Sequence, residues 1–204
     1  RVYMQREGIR MKIQKRIQTM VIAALLCAVG IVIPMFCPKI IIEPASFTLA
    51  SHVPLFLAMF ISLPVAAVVC LGTTLGFFLS GFPLVVVLRA LSQIVFVALG
   101  AWFLQHSKNI VNRPLKSTLF SLVMGLIHGA CETLVSTWFY FNGSETQQGY
   151  LMSVIVLVGV GTVIHSMVDY GIAVVVWRAV QKVVTIPVSV HLGRKASEPK
   201  AAQG

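Results

Sequence analysis

Acidic side chains are scarce in this sequence. Asp and Glu together number six among 204 residues, and charged residues of both signs make up only 11%. A soluble domain carries about 25% charged and about 45–50% apolar residues, whereas this chain is 57% hydrophobic. That balance excludes a separate soluble domain and reads as an integral membrane protein. Cysteine is sparse too: Cys27, Cys37, Cys70 and Cys131 form no CxxC pair, and they read as small buried residues without a disulfide or metal role. Walker A, GxSxG, HExxH and DxD-like phosphate-handling patterns are all missing, so the chain has no visible means of using ATP and no nucleophile arrangement for catalysis. It is read as no enzyme. Two matching halves, the mark of an inverted-repeat secondary transporter, are missing as well.

What the chain does hold is a series of apolar runs. The clearest is Leu84–Leu104, which at 1.5 Å per residue makes a helix of about 30 Å, the hydrocarbon thickness of a bilayer. The other runs are Ile17–Phe36, Leu49–Ser62, Pro64–Leu79, Thr118–Phe141 and Tyr150–Val180. The second is short and is interrupted by His52 and Pro54, a pattern tolerated at membrane depth where a helix lines a cavity or packs on protein. The first follows a basic segment but lacks an A-x-A-like cleavage site, so it is read as a span rather than a signal peptide. The chain opens on Arg1; Arg1–Arg10 is expected to be an upstream extension, with Met4 or Met11 the natural start.

The net charge of +10 is explained by topology rather than by nucleic acid. Basic residues cluster in 1–16, in the 105–117 loop (Lys108, Arg113, Lys116) and from Arg178 onward, while Lys39 and Arg89 stand apart. The positive-inside rule then predicts an all-α polytopic membrane protein with six transmembrane helices and both termini cytoplasmic. Residues 1–16 form a basic cytoplasmic tail, 17–182 the membrane domain, and 183–204 a basic, partly disordered cytoplasmic tail. The same rule places Lys39–Ser51, Ser80–Pro83 and Asn142–Gly149 together on the outer side, with a bacterial cytoplasmic membrane as the expected location. The charged ends meet anionic lipid headgroups.

Arg89 organises the candidate site. An arginine inside an apolar span costs about 2.5–3.5 kcal/mol on insertion scales, so it must face protein, water or a ligand. Gln93 lies one turn further on the same face, and His128/Glu132 and His165/Asp169 are i,i+4 pairs on the fifth and sixth spans. Counting depth from the outer end, Arg89 and Glu132 come out at about 9 and about 14 Å. His128 and His165 lie near the midplane, and Asp169 lies deeper, where it reads as a structural partner for His165. Two readings stay open: a structural ion network tying spans four to six together, or a site in which Arg89 holds a carboxylate through paired N–H donors. A metal held by His128, Glu132, His165 and Asp169 is opposed by the nearby arginine, and their spacings specify no metal. The stretch Glu43–His52 is either a rigid connector or a lid closing Phe47, Thr48, Ser51 and His52 over a ligand. Trp138, Tyr140 and Asn142 form either an interfacial belt or a stacking wall.

Small-xxx-small spacings occur at Ala24/Ala28, Gly72/Gly76 and Gly125/Gly129, and such spacing lets helices approach closely. With six spans in about 200 residues, basic ends, a substrate-sized loop after span one and the AxxxA at Ala24–Ala28, residues 12–182 resemble a substrate-binding S component of an energy-coupling factor (ECF) vitamin transporter. The stretch Pro44–Pro54 resembles members assigned to pantothenate or niacin. The resemblance implies a vitamin-binding subunit whose AxxxA face docks on a transmembrane coupling subunit, with two cytoplasmic ATPases hydrolysing ATP, and which topples in the membrane to deliver its vitamin. It also implies a site built from the outer loops and the outer halves of spans four to six. No single ligand residue is matched by motif; on the depth and face argument the site comprises Arg89, Gln93, His128, Glu132 and His165, the loop residues Phe47, Thr48, Ser51 and His52, and Trp138 and Asn142 at the rim. Pantothenate is favoured over niacin because a hydroxylated ligand would use so many polar groups. No cofactor is expected in the chain itself. The alternative from another class is a stand-alone proton-coupled transporter with Glu132, His128, His165 and Asp169 as a relay; a third is an intramembrane enzyme using the same cluster.

Overall fold

The computed structural model describes residues 2–42, 45–107, 109–143 and 146–183. The tail expected from residue 183 onward lies outside the described residues past Val183, as do Glu43 and Pro44 of the expected lid.

The first helix, α1 (Val2–Phe36), runs without a break through the basic segment into the first apolar run. It leads into strands β1 (Lys39–Ile42) and β2 (Ala45–Thr48). These pair antiparallel with Ile40 opposite Phe47, so the fold is nearly rather than wholly all-α. Helix α2 (Val53–Ile61) follows, then α3 (Leu63–Leu79), α4 (Leu84–Ser92), α5 (Ile94–His106) and α6 (Pro114–Phe141). A π-helical stretch, Leu151–Val160, continues directly into α7 (Gly161–Val183).

Among the described residues, four helical stretches are long and apolar enough to cross a membrane: Arg6–Phe36, Leu84–His106, Pro114–Phe141 and Leu151–Val183. The expected second span is not a full crossing. Helix α2 has nine residues, about 13 Å, and it sits at the centre of the bundle, packed against α1, α3, α5 and α7. Phe56, Ala58, Met59 and Phe60 are fully buried there. A half-length helix is admissible because protein, not lipid, surrounds it. Phe56 and Phe60 meet the Tyr170 ring on α7, and Phe60 also meets Trp177. Large apolar side chains such as Leu25, Leu75, Leu126 and Ile164 stay exposed on the outside of the bundle, as a lipid-facing surface requires.

The breaks between helices are written locally. Ser62 ends α2 and caps α3, its hydroxyl accepting from the Val65 N–H at 3.4 Å, with Pro64 in the first turn. At the other end of α3, Gly81 takes φ +75°, its N–H bonds Phe78 O and the Phe82 N–H bonds Phe77 O. With Phe77 and Phe82 stacked 4.7 Å apart, this is a Schellman cap with its apolar contact. Between α4 and α5 the hydroxyl of Ser92 donates to Arg89 O at 2.7 Å, a back-bond of the kind that bends helices.

Two of the small-residue spacings are internal seams. A Cβ at Gly72 would lie 2.7 Å from Cys27 Sγ and one at Gly76 2.2 Å from Ile31 Cδ1, so both glycines seat α3 against α1. Gly125 and Gly129 seat α6 against Val163 and Gly159 in the same way. Ala24 and Ala28, by contrast, are exposed.

Candidate ligand-binding site

Between the hairpin and the adjoining ends of α3, α4, α6 and α7 lies a cavity of about 330 Å³, near the small end of the range for small-molecule sites, about 300–1,000 Å³. Phe47 and Thr48 of β2, Ser51, His52, Arg89, Gln93, Glu132 and His165 all line it. The loop and three separate helices thus converge as expected.

Glu132 is the hub. Its Oε2 accepts from Arg89 Nη2 at 2.6 Å, from Arg89 Nε at 3.1 Å and from the Thr162 hydroxyl at 2.9 Å. Its Oε1 lies 3.2 Å from His128 Nε2 and 3.4 Å from Gln93 Nε2. A buried carboxylate is tolerated only when its lone pairs are taken up in this way. Arg89 therefore has a protein partner, the structural network foreseen as one of the two readings. Both of its bonds to Glu132 lie on the Nε/Nη2 edge, and Arg89 is also one of the residues lining the cavity.

Gln93 carries the network onward. Its amide nitrogen faces a carboxylate, which fixes it as the donor, and it also lies 3.2 Å from His52 Nε2. His52 Nε2 then accepts, which leaves the proton on Nδ1 facing Asp169 Oδ2 at 3.2 Å. Ser51 Oγ lies 3.0 Å from His165 Nε2 and 3.3 Å from His52 Nδ1.

Asp169 is structural, as expected, and its reach extends beyond His165. It is fully buried and reaches the loop rather than serving chiefly His165, whose Nε2 is 3.4 Å away. Its Oδ1 accepts from the Ala50 N–H at 2.8 Å and its Oδ2 from the His52 N–H at 2.8 Å. Ala50 has φ +69°, a costly backbone for a residue with a Cβ. The carboxylate holds that turn in place and puts negative charge at the N-terminus of α2, where the helix dipole favours it. Asp169 does not itself line the cavity, as its depth implies; the Ala50–His52 turn reaches down to it.

Three expectations are corrected. Trp138 is 68% exposed, and the Asn142 amide donates to Trp138 O on the same helix end; neither lines the cavity. His128 does not reach the cavity either. It is fully buried behind Glu132, stacked on Phe96 at 4.4 Å, and supports the carboxylate from below. Residues the sequence reading passed over also line the cavity, among them Thr73, Phe77, Phe82 and Thr162. The Gly81–Phe82 turn signal could have pointed to the stacked pair; nothing local marks Thr73 or Thr162.

His52 is common to two groups whose donor atoms lie within 4.8 Å of one another, one with His165 and Asp169 and one with His128 and Glu132. These donor types can ligate a metal. The contacts just described use the same atoms among themselves, and the arginine cation on Glu132 opposes a second cation beside it. The five side chains form one compact cluster between helices.

No protein-family model matches the chain, and no solved structure matches it. Over 191 residues it is 39% identical to the niacin transporter NiaX of Lactococcus lactis subsp. cremoris (strain MG1363), a match covering 92% of this chain and 86% of that protein. At that identity and coverage the chain belongs to the family of this transporter, the substrate-binding S components of ECF-type vitamin transporters.

Proposed function

We propose that this chain is the niacin-binding specificity subunit of an ATP-driven ECF importer, with six helical segments in the membrane and both termini cytoplasmic. The identity to a niacin transporter favours niacin; the pantothenate preference has no support from it. The observation that carries the reading is the position of Arg89, held by Glu132 through one edge and placed in the cavity wall. The nicotinate carboxylate pairs with the other edge, so that the guanidinium bridges two carboxylates and is held rigid by the first. The pyridine ring lies among Phe47, Phe77 and Phe82, and the loop pinned by Asp169 closes the cavity from above. A transmembrane coupling subunit would dock on the exposed Ala24/Ala28 face, and two cytoplasmic ATPases would supply the energy this chain cannot.

The test is calorimetric titration of the purified, detergent-solubilised chain with nicotinate and with pantothenate, beside Arg89→Ala. Nicotinate is expected to bind, and pantothenate to give no heat at the same concentrations. Arg89→Ala is expected to lose about a hundredfold in affinity, within the range for truncating one partner of a desolvated charge pair. No binding of nicotinate by the unaltered chain, or equal binding by Arg89→Ala, overturns the proposal.

A further inference from the structure

A second cavity, of about 650 Å³, lies between α5 and α6, away from the site described above. Phe120 and Met124 are buried at its floor, while Leu99 and Trp102 on α5 and Leu119 and Val123 on α6 line it and are exposed. It is therefore a groove that opens sideways on the lipid-facing surface. Ser107 and Lys116 are its only polar lining residues. Lys116 is exposed and stands in the first turn of the apolar stretch Pro114–Phe141, so that end of the groove meets the membrane surface and the rest runs into hydrocarbon. From Lys116 to Ile127, both of which line it, the groove extends about 16 Å along α6. That is about half of a hydrocarbon core of about 30 Å, the depth of one leaflet.

The charge at the groove's surface end is unopposed by the protein. No Asp or Glu occurs between Glu43 and Glu132, and none of the ion pairs among the described residues includes Lys116. Arg113, exposed beside it, adds to the positive field. A non-helical peptide is a poor occupant, because its backbone groups would find no partners in an apolar groove at membrane depth. An acyl chain has no such groups, and a phosphate at its head supplies the missing counter-charge.

We propose that the α5–α6 groove binds an anionic phospholipid, with one acyl chain between Trp102 and Val123 over Phe120 and the headgroup phosphate at Lys116. A basic residue at the surface end of a groove between membrane helices selects for negative headgroups. Such a site requires only that the chain lies in a membrane; it is independent of which vitamin the other cavity takes.

Trp102 supplies the probe. In a Trp138→Phe background the remaining tryptophans are Trp102, exposed in the groove wall, and Trp177, buried in the bundle. The purified full chain is reconstituted in bilayers mixing phosphatidylglycerol and phosphatidylcholine, with brominated chains on one lipid or the other, and contact quenching of the fluorescence gives their relative affinity. Phosphatidylglycerol is expected to be preferred about fivefold, the increment of one lysine near the surface. Lys116→Gln is expected to bring the ratio near one and Lys116→Arg to keep it. Val123→Phe, which narrows the groove without changing charge, is expected to lower it. Glycerol phosphate, a headgroup without chains, is expected not to compete. Equal quenching by the two lipids, or a preference that survives Lys116→Gln, overturns the proposal. Competition by glycerol phosphate would make this a site for a free anion and also overturns it. Absence of quenching by either lipid, with a dimer in light scattering, would give the groove to a second copy of the chain instead.

Discussion

Arg89 and Glu132, 43 residues apart in sequence, are joined by two hydrogen bonds of 2.6 and 3.1 Å onto a single carboxylate oxygen. The pair resolves the cost of placing either charge in a membrane, and it fixes the orientation of the one arginine in the cavity wall. Breaking one side of a buried pair costs about 3–5 kcal/mol because the other charge is left uncompensated. Glu132→Gln is therefore expected to destabilise the protein by about 3 kcal/mol, read as a lowered midpoint in thermal unfolding in detergent. Adding Arg89→Gln to it should cost less than the two single changes summed. Strict additivity in that cycle would mean that the two side chains are not coupled.

Asp169 and the Ala50–His52 turn form the second long-range link. Asp169→Asn keeps one carbonyl oxygen but turns an N–H₂ toward a backbone N–H, so one of the two 2.8 Å bonds is lost. Hydrogen bonds to charged groups contribute about 1.5–3 kcal/mol. Amide exchange in a peptide covering 47–56 is expected to accelerate at least about tenfold in the variant, with nicotinate affinity reduced. Unchanged exchange would show that the turn holds without the carboxylate.

The α6–α7 seam is a backbone contact. A Cβ at Gly129 would come 2.8 Å from Gly159 O and 3.0 Å from Val163 Cγ2, and a carbonyl in a helix cannot step aside as a side chain can. Gly129→Ala should cost about 1–3 kcal/mol as an overpacking change. Gly171→Ala, with nothing within 4 Å of its Cβ position, should be neutral or mildly stabilising in the same unfolding measurement. Equal effects from the two would remove the close approach as the reason for glycine at 129.

Ala24 and Ala28 face outward from the bundle, so Leu at either position leaves the cavity untouched. Ala24→Leu and Ala28→Leu are expected to bind nicotinate as the unaltered chain does, yet to abolish uptake in cells that also supply the coupling and ATPase subunits. Loss of nicotinate binding in the isolated variants would count against the docking role.

Hydropathy is a local property, and what it dictates was legible in the residues: an integral membrane protein, nearly all helical, with polar groups in its apolar runs that had to find each other. Arg89 had to be paired or solvated wherever the chain went, and the i,i+4 faces of His128/Glu132 and His165/Asp169 follow from helical geometry alone. They hold because the π-helical stretch ends at Val160, before His165. Which partner each group takes depends on how separate helices approach, and that is not local. Only the tertiary structure put Asp169 beneath the Ala50–His52 turn, closed Arg89 onto Glu132, left Trp138 facing outward and brought Thr73 to the cavity wall. The three small-xxx-small spacings make the same point: they look alike in sequence, yet two are seams within the bundle and one lies open on its surface. The difference is the neighbouring helix, present at Gly72/Gly76 and Gly125/Gly129 and missing at Ala24/Ala28 among the described residues.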